Sequence, residues 1–197
     1  MVKRSYHHGN LREAIINEAS KMLNNLESDK ISLRNIASRI GVAPSAPYNH
    51  FPDKDALFDA IRTEGFKRLS KQMQEALDYS MPAQVNLAAV GKKYIFFALN
   101  EPILFNTMFK KGILRDNQES DKVEEIFFTA VSACFDHKVN RLISTRSASV
   151  SAWSMVHGLS LLLISGVLSR ESSDSVEKLA DELFSAISII WSRGVAN

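Results

Sequence analysis

The chain predicts an all-α fold on three observations. Apolar residues recur at three- and four-residue steps along almost its whole length, and no segment shows the two-residue alternation of a strand. Helix stops and starts punctuate that pattern at Gly41, Pro44, Phe51-Pro52, Ser80-Met81-Pro82 and Glu101-Pro102. They divide the 197 residues into a three-helix N-terminal domain over 1–52, a connecting helix over 53–80 and a larger helical domain over 81–197, about nine helices in all.

The first helix places Leu11, Ile15, Ala19, Met22 and Leu26 on one face, behind an arm that carries Lys3, Arg4, His7 and His8. Such an arm either reaches DNA phosphates or the minor groove, or stays solvated. In the second helix Leu33, Ile36, Ala37 and Ile40 recur behind Ser32, whose hydroxyl caps the first turn. Gly41 stops it, because glycine tolerates the left-handed backbone that ends a helix, and Val42 plugs the angle between two helices set at roughly 90 to 120°. Pro44 suits the first turn of a third helix reaching to about His50, although Pro47 removes one of its backbone donors.

That arrangement reads as a DNA-binding helix-turn-helix. The third helix displays Ser45, Tyr48 and Asn49, with Ala46 and His50 beside them, while Arg34 and Arg39 on the second helix and Lys54 beyond it supply positive charge. A reading helix needs short polar and aromatic side chains at its tip for base edges, flanked by cations for phosphates. The alternative is an ordinary helical hairpin with solvated polar residues.

The stretch from Ser32 to Leu57 resembles the signature of TetR-type transcriptional regulators: Ile36-Ala37, Gly41-Val42, then Tyr48-Asn49-His50-Phe51 and Lys54. The resemblance implies an all-helical homodimer with a small N-terminal DNA-binding domain and a C-terminal domain for dimerisation and effector binding. It implies DNA contacts from Lys3, Arg4, Ser32, Arg34, Pro44, Ser45, Ala46, Tyr48, Asn49, His50 and Lys54.

Composition agrees with a globular regulator. Hydrophobic residues make up 45% of the chain, ample for a packed core. Net charge is only +2, but residues 1–52 hold seven Lys or Arg against four acids, so the N-terminal segment is +3 and the remainder -1. Residues 1–10 carry no apolar run of signal-peptide length, and the single Cys134 has no internal disulfide partner, so the protein is expected in the cytoplasm. Cys134 and His137 are three apart with no further metal ligand near in sequence, and Cys134 reads as a small buried hydrophobe. No metal or cofactor is expected. Paired carboxylates, a nucleophile elbow and a phosphate loop are not evident, which argues against an enzyme.

Asp53 caps the connecting helix, which carries Leu57, Ile61, Phe66, Leu69 and Met73. Beyond Pro82, candidate helices over about 83–99, 102–112 and 120–138 concentrate Phe96, Phe97, Phe105, Met108, Phe109, Phe127 and Phe128. Those side chains either fill a core or line a cavity for a drug-sized ligand. Glu101-Pro102 followed by Phe105 and Met108, and Trp153 followed by His157-Gly158, are similar to elements of one TetR subgroup. That similarity adds Trp153 and His157 to the candidate effector residues, although for His157 a core histidine bonded to backbone is the favoured role.

A helix near 147–169 is apolar nearly all round from Ala152 to Leu168, short of the roughly 20 residues a membrane span needs. Ser151, Ser154, Gly158 and Ser165 form one narrow stripe on it, with Leu162 beside them, and a last helix repeats Leu179, Leu183, Phe184, Ile187, Ile190 and Trp191. These two helices either form an isologous dimer interface or close the monomer core.

The expected function is a DNA-binding transcriptional regulator, a repressor released from a palindromic operator by a small apolar effector, with two reading heads about one DNA turn apart, roughly 34 to 36 Å. The connecting helix is the natural lever, and the effector acts by shifting populations. Rival readings are a regulator without an effector and an apolar-ligand carrier or enzyme.

Overall fold

Eight α-helices and one short 3-10 helix follow one another in the computed structural model, which describes residues 11–25, 27, 30–110, 118–134, 143–168 and 175–196; among these no strand is present. The helices are α1 Leu11–Asn24, α2 Leu33–Ile40, the 3-10 turn Ala46–Asn49, α3 Lys54–Glu75, α4 Ala83–Asn100, α5 Pro102–Met108, α6 Gln118–Cys134, α7 Thr145–Ile164 and α8 Val176–Ala196.

The chain forms two compact units. The first takes the described residues of Met1–Gly65 and Ile103–Arg115, the second those of Phe66–Pro102 and Asp116–Asn197. By packing, the division runs through α3 and gives α5 to the first unit, away from the boundaries at 52 and 80 that turn signals suggest.

In the first unit, α1 and α2 bury Ile15, Ala19, Met22, Leu33, Ile36 and Ala37 against one another and the 3-10 turn. The first half of α3 holds α5 through buried Arg62, whose Nε donates to Thr107 O at 3.1 Å while Nη1 donates to Asp59 Oδ1 at 2.6 Å. At Gly65 an added Cβ would stand 2.7 Å from Met108 Sδ, so glycine permits this close approach.

In the second unit α4 is central, packing against α6, α7 and α8. A tight turn feeds it: Asp78 N donates to Asn86 Oδ1 at 2.7 Å and Asn86 Nδ2 donates back to Asp78 O at 2.8 Å. Ser144 caps α7 by accepting from Ser147 N at 3.1 Å. That helix ends at Ile164 and not near 169, because Gly166 adopts φ 72°, a left-handed stop. At 20 residues α7 is long and apolar enough to cross a bilayer, yet seven of its side chains are buried, as in a core helix. Helix α5 stops at Met108, short of the expected 112, and α6 begins at Gln118, two residues before the expected 120; residues 111–112 and 135–138, with His137 and the expected end of α6, lie outside the described residues, as does Leu26.

Candidate functional site

The reading head is assembled by backbone hydrogen bonds that its sequence dictates. Ser32 Oγ accepts from Asn35 N at 3.2 Å at the start of α2. Gly41, with φ 76° and ψ 34°, ends the helix, and Val42 N donates back to Ala37 O at 3.0 Å. The segment after the turn differs from the expected α-helix over 44–50. Pro47 has no N–H to close an α-helical ring, and the backbone closes i to i−3 rings instead: Ala46 N to Ala43 O at 2.9 Å, Tyr48 N to Ser45 O at 3.2 Å, and His50 N to Pro47 O at 3.0 Å.

This tight turn buries Pro47 and anchors on Phe51, which is buried beneath the Arg12 guanidinium at 5.3 Å. It thereby presents Pro44, Ser45, Tyr48, Asn49 and His50 to solvent, Tyr48 at 50% exposure, with Ala46 half-buried. Ser32, Arg34 and Lys54 are exposed in the same unit, Lys54 with its Nζ 5.6 Å from the centre of the Phe58 ring. Asp53 Oδ1 accepts from Ala56 N at 2.8 Å and caps α3 as expected. Arg39 is a correction. Its guanidinium donates to Glu27 at 2.6 Å and pairs with Glu18 at 3.5 Å, so it ties α2 to α1 and is not a spare cation for phosphates. Lys3, Arg4, His7 and His8 lie outside the described residues.

In the second unit a polar chain crosses the core. Trp153 Nε1 donates to Tyr94 Oη at 3.0 Å, and Tyr94 Oη stands 2.8 Å from His157 Nδ1. The tyrosine oxygen accepts from the indole, and the imidazole tautomer sets which partner donates in the Tyr94–His157 bond. Burial pushes the Tyr94 phenol well up, against the lowering effect of the Trp153 bond, and burial pushes His157 down, so both are neutral near pH 7. Phe127 stacks on Trp153 with ring centres 6.2 Å apart and meets the Tyr94 ring edge-on at 5.6 Å. Tyr94, the hub of this group, has no motif to mark it in the sequence. It is a tyrosine in an apolar helix, and only the fold brings Trp153 and His157 to its hydroxyl.

On the other side of Phe127 lies a cavity of about 240 Å³ between α4, α7 and α8, walled by Phe184, Ile187, Trp191, Met155 and Gly91. Of the residues expected to hold an effector, only Phe127 lines it. Phe105, Met108 and Phe109 belong to the first unit, where Phe105 and Met108 are fully buried and Phe105 packs on Phe109 at 5.0 Å, because α5 folds back onto α3. Phe97 is core, Phe96 lies under Lys92 Nζ at 5.5 Å, and Phe128 is 42% exposed on the outer side of α6. Trp153 and His157 stand behind the cavity wall and not in it. Conversely, Phe184, Ile187 and Trp191, read from sequence as interface residues, face the cavity, whereas Ser151, Ser154, Leu162, Ser165 and Ile190 are exposed and Gly158, Leu179 and Leu183 are half-buried. Cys134 is half-buried, and burial pushes its thiol up, as befits a small apolar side chain.

Two family models match the chain: bacterial regulatory proteins, tetR family, over residues 15–61, and tetracyclin repressor-like, C-terminal domain, over residues 87–187. The second alone spans 101 of the 197 residues. The chain belongs to the TetR family. As a TetR-family chain it has the DNA-binding helix-turn-helix and the helical C-terminal domain of a transcriptional regulator. It is 25% identical over 120 residues to the nucleoid occlusion factor SlmA of Vibrio vulnificus, a match over 60% of this chain and 61% of that relative's length. Among solved structures it is similar to a protein with unknown function from Rhodococcus sp. RHA1, at TM-score 0.79 and 26% identity over 99% of this chain and all of that one. A TetR variant from Acinetobacter baumannii AYE in complex with minocycline shares the fold at TM-score 0.66 and 18% identity, over 98% of this chain and all of that one.

Proposed function

We propose that this TetR-family protein is a homodimeric, cytoplasmic repressor that holds a palindromic operator and releases it when a small apolar effector occupies the second unit. The observation that carries the reading is the polar tip of the 3-10 turn. Ser45, Tyr48, Asn49 and His50 are exposed in the same unit as the exposed cations Arg34 and Lys54, a combination suited to base edges and phosphate contacts. Lys3 and Arg4 of the N-terminal arm complete the proposed DNA contacts.

Dimerisation is assigned to the outer faces of α7 and α8. Val150, Leu161, Leu162 and Ile190 are exposed there beside Ser151, Ser154, Gly158 and Ser165, and Arg146 is the only charged residue on α7. Such a surface favours an isologous contact, in which small residues let helices approach and apolar ones leave water. The effector reading draws on the cavity of the second unit and on the minocycline complex of the TetR fold-mate. Helix α3, which contributes residues to both units, is the proposed route of coupling.

Selection from random duplexes with the full chain, followed by a gel-shift titration, tests the reading. A palindromic site is expected, bound by a dimer, and Tyr48→Ala is expected to weaken that specific binding at least tenfold while sedimentation still shows the dimer. Unchanged operator affinity in Tyr48→Ala would count decisively against the assignment.

A further inference from the structure

Resting on the effector reading above, we infer that the α4–α7–α8 cavity takes an uncharged ligand of one or two rings, stacked among Phe127, Phe184 and Trp191 with a single neutral polar group toward Gln84 and Ser188. Size is the first argument. At about 240 Å³ the cavity lies between the roughly 150 Å³ that admits benzene and the roughly 300 to 1,000 Å³ of sites for drug-sized molecules. The space is apolar and open on one side, so a ligand seated in it would cover apolar surface that otherwise meets water.

Charge is the second argument. Among the described residues none that lines it is ionisable; the polar groups are the Gln84 amide on α4, and the Ser188 hydroxyl and Trp191 indole N–H on α8. The nearby charges of the α4–α8 seam, Lys92 and Asp181, are paired with each other at 2.8 Å. An ionic ligand would therefore lose its hydration and find no counter-charge, whereas a neutral hydroxyl or amide has an amide and a hydroxyl to meet.

The wall itself is the third. Gly91 lets the Phe184 ring lie against α4: an added Cβ would come within 2.9 Å of Phe184 Cε2 and 3.4 Å of Val156 Cγ1. The aromatic side chains of Phe127, Phe184 and Trp191 and the Met155 thioether in the wall are suited to a flat ring system.

Three probes with one ring system and different charge test this on the full chain at neutral pH by calorimetry: naphthalene-2-methanol, 2-naphthoate and 2-naphthylmethylammonium. The alcohol is expected to bind at least tenfold more tightly than either ion and to change the fluorescence of Trp191, a change lost in Trp191→Phe. Ala88→Phe, which fills the cavity from a half-buried position, is expected to abolish binding with an unchanged circular dichroism spectrum; should it fail to fold, Ser188→Leu serves instead. Equal or tighter binding of either ion, no binding of any probe, or undiminished binding of the alcohol in the folded filling variant overturns the inference. Alcohol binding that leaves operator affinity unchanged supports the ligand class and tells against effector release. Operator release by a charged compound that competes for this cavity does the reverse.

Discussion

Trp153 Nε1 donates to Tyr94 Oη at 3.0 Å, joining α7 to α4 through the core of the second unit. The same oxygen stands 2.8 Å from His157 Nδ1, so the three side chains share one hydroxyl. Tyr94→Phe keeps the ring and its edge contact with Phe127 but takes the acceptor from the half-buried indole N–H. A loss of about 1 to 3 kcal/mol is expected in urea denaturation, the range for removing one partner of a buried hydrogen bond. A loss below about 0.5 kcal/mol would show that the chain of bonds contributes little.

The same geometry links stability to pH. Burial holds His157 below its ordinary 6.5. Between the depressed folded value and 6.5 the unfolded chain binds more protons, so stability rises with pH in that window. Its contribution is complete above 6.5 and is lost as pH falls through the folded value. The thermal midpoint is expected to drop between about pH 7.5 and about pH 5.5 by more in the parent than in His157→Gln. Parallel drops in the two proteins would exclude His157 as the source.

Gly41 carries the bend of the reading head at φ 76°, and an added Cβ would meet nothing within 4 Å. The penalty of Gly41→Ala is therefore backbone strain alone, about 1 to 2 kcal/mol by denaturation, and Gly41→Asn should lose less because asparagine tolerates the left-handed region. Equal stability of the glycine and alanine proteins would mean that the turn relaxes elsewhere.

Arg34 and Arg39 look alike in sequence and differ in the fold. Arg34 is exposed, while Arg39 pairs with Glu18 and Glu27. In gel-shift titrations over a salt series, Arg34→Ala should lower the slope of log affinity against log salt by roughly 0.9, the value for one phosphate contact. Arg39→Ala should leave that slope alone and reduce stability by about 1 kcal/mol or less, since the pair is partly exposed. A slope change in Arg39→Ala would reinstate it as a DNA contact.

Local chemistry determined everything that could be read without coordinates. Ser32, Gly41 and Asp53 act within a few residues of themselves, so their caps and the left-handed stop were legible, as were the helical periodicity and the exposed Tyr48-Asn49 tip. Pro47 is visible in the sequence too, but its effect depends on the length of the segment: one absent N–H in so short a stretch turns an α-helix into a 3-10 turn. Partnership between distant residues was left to the tertiary structure. Phe105 and Phe127 are equally aromatic and equally helical, yet α5 folds back to α3 while α6 packs on α4 and α7, so one is core of the first unit and the other is cavity wall. Phe184, Ile187 and Trp191 share a stripe whose period says only that it is buried against something. Whether that something is a second subunit, a core or a ligand depends on where neighbouring helices leave space, and periodicity carries no information about the distance to a neighbour.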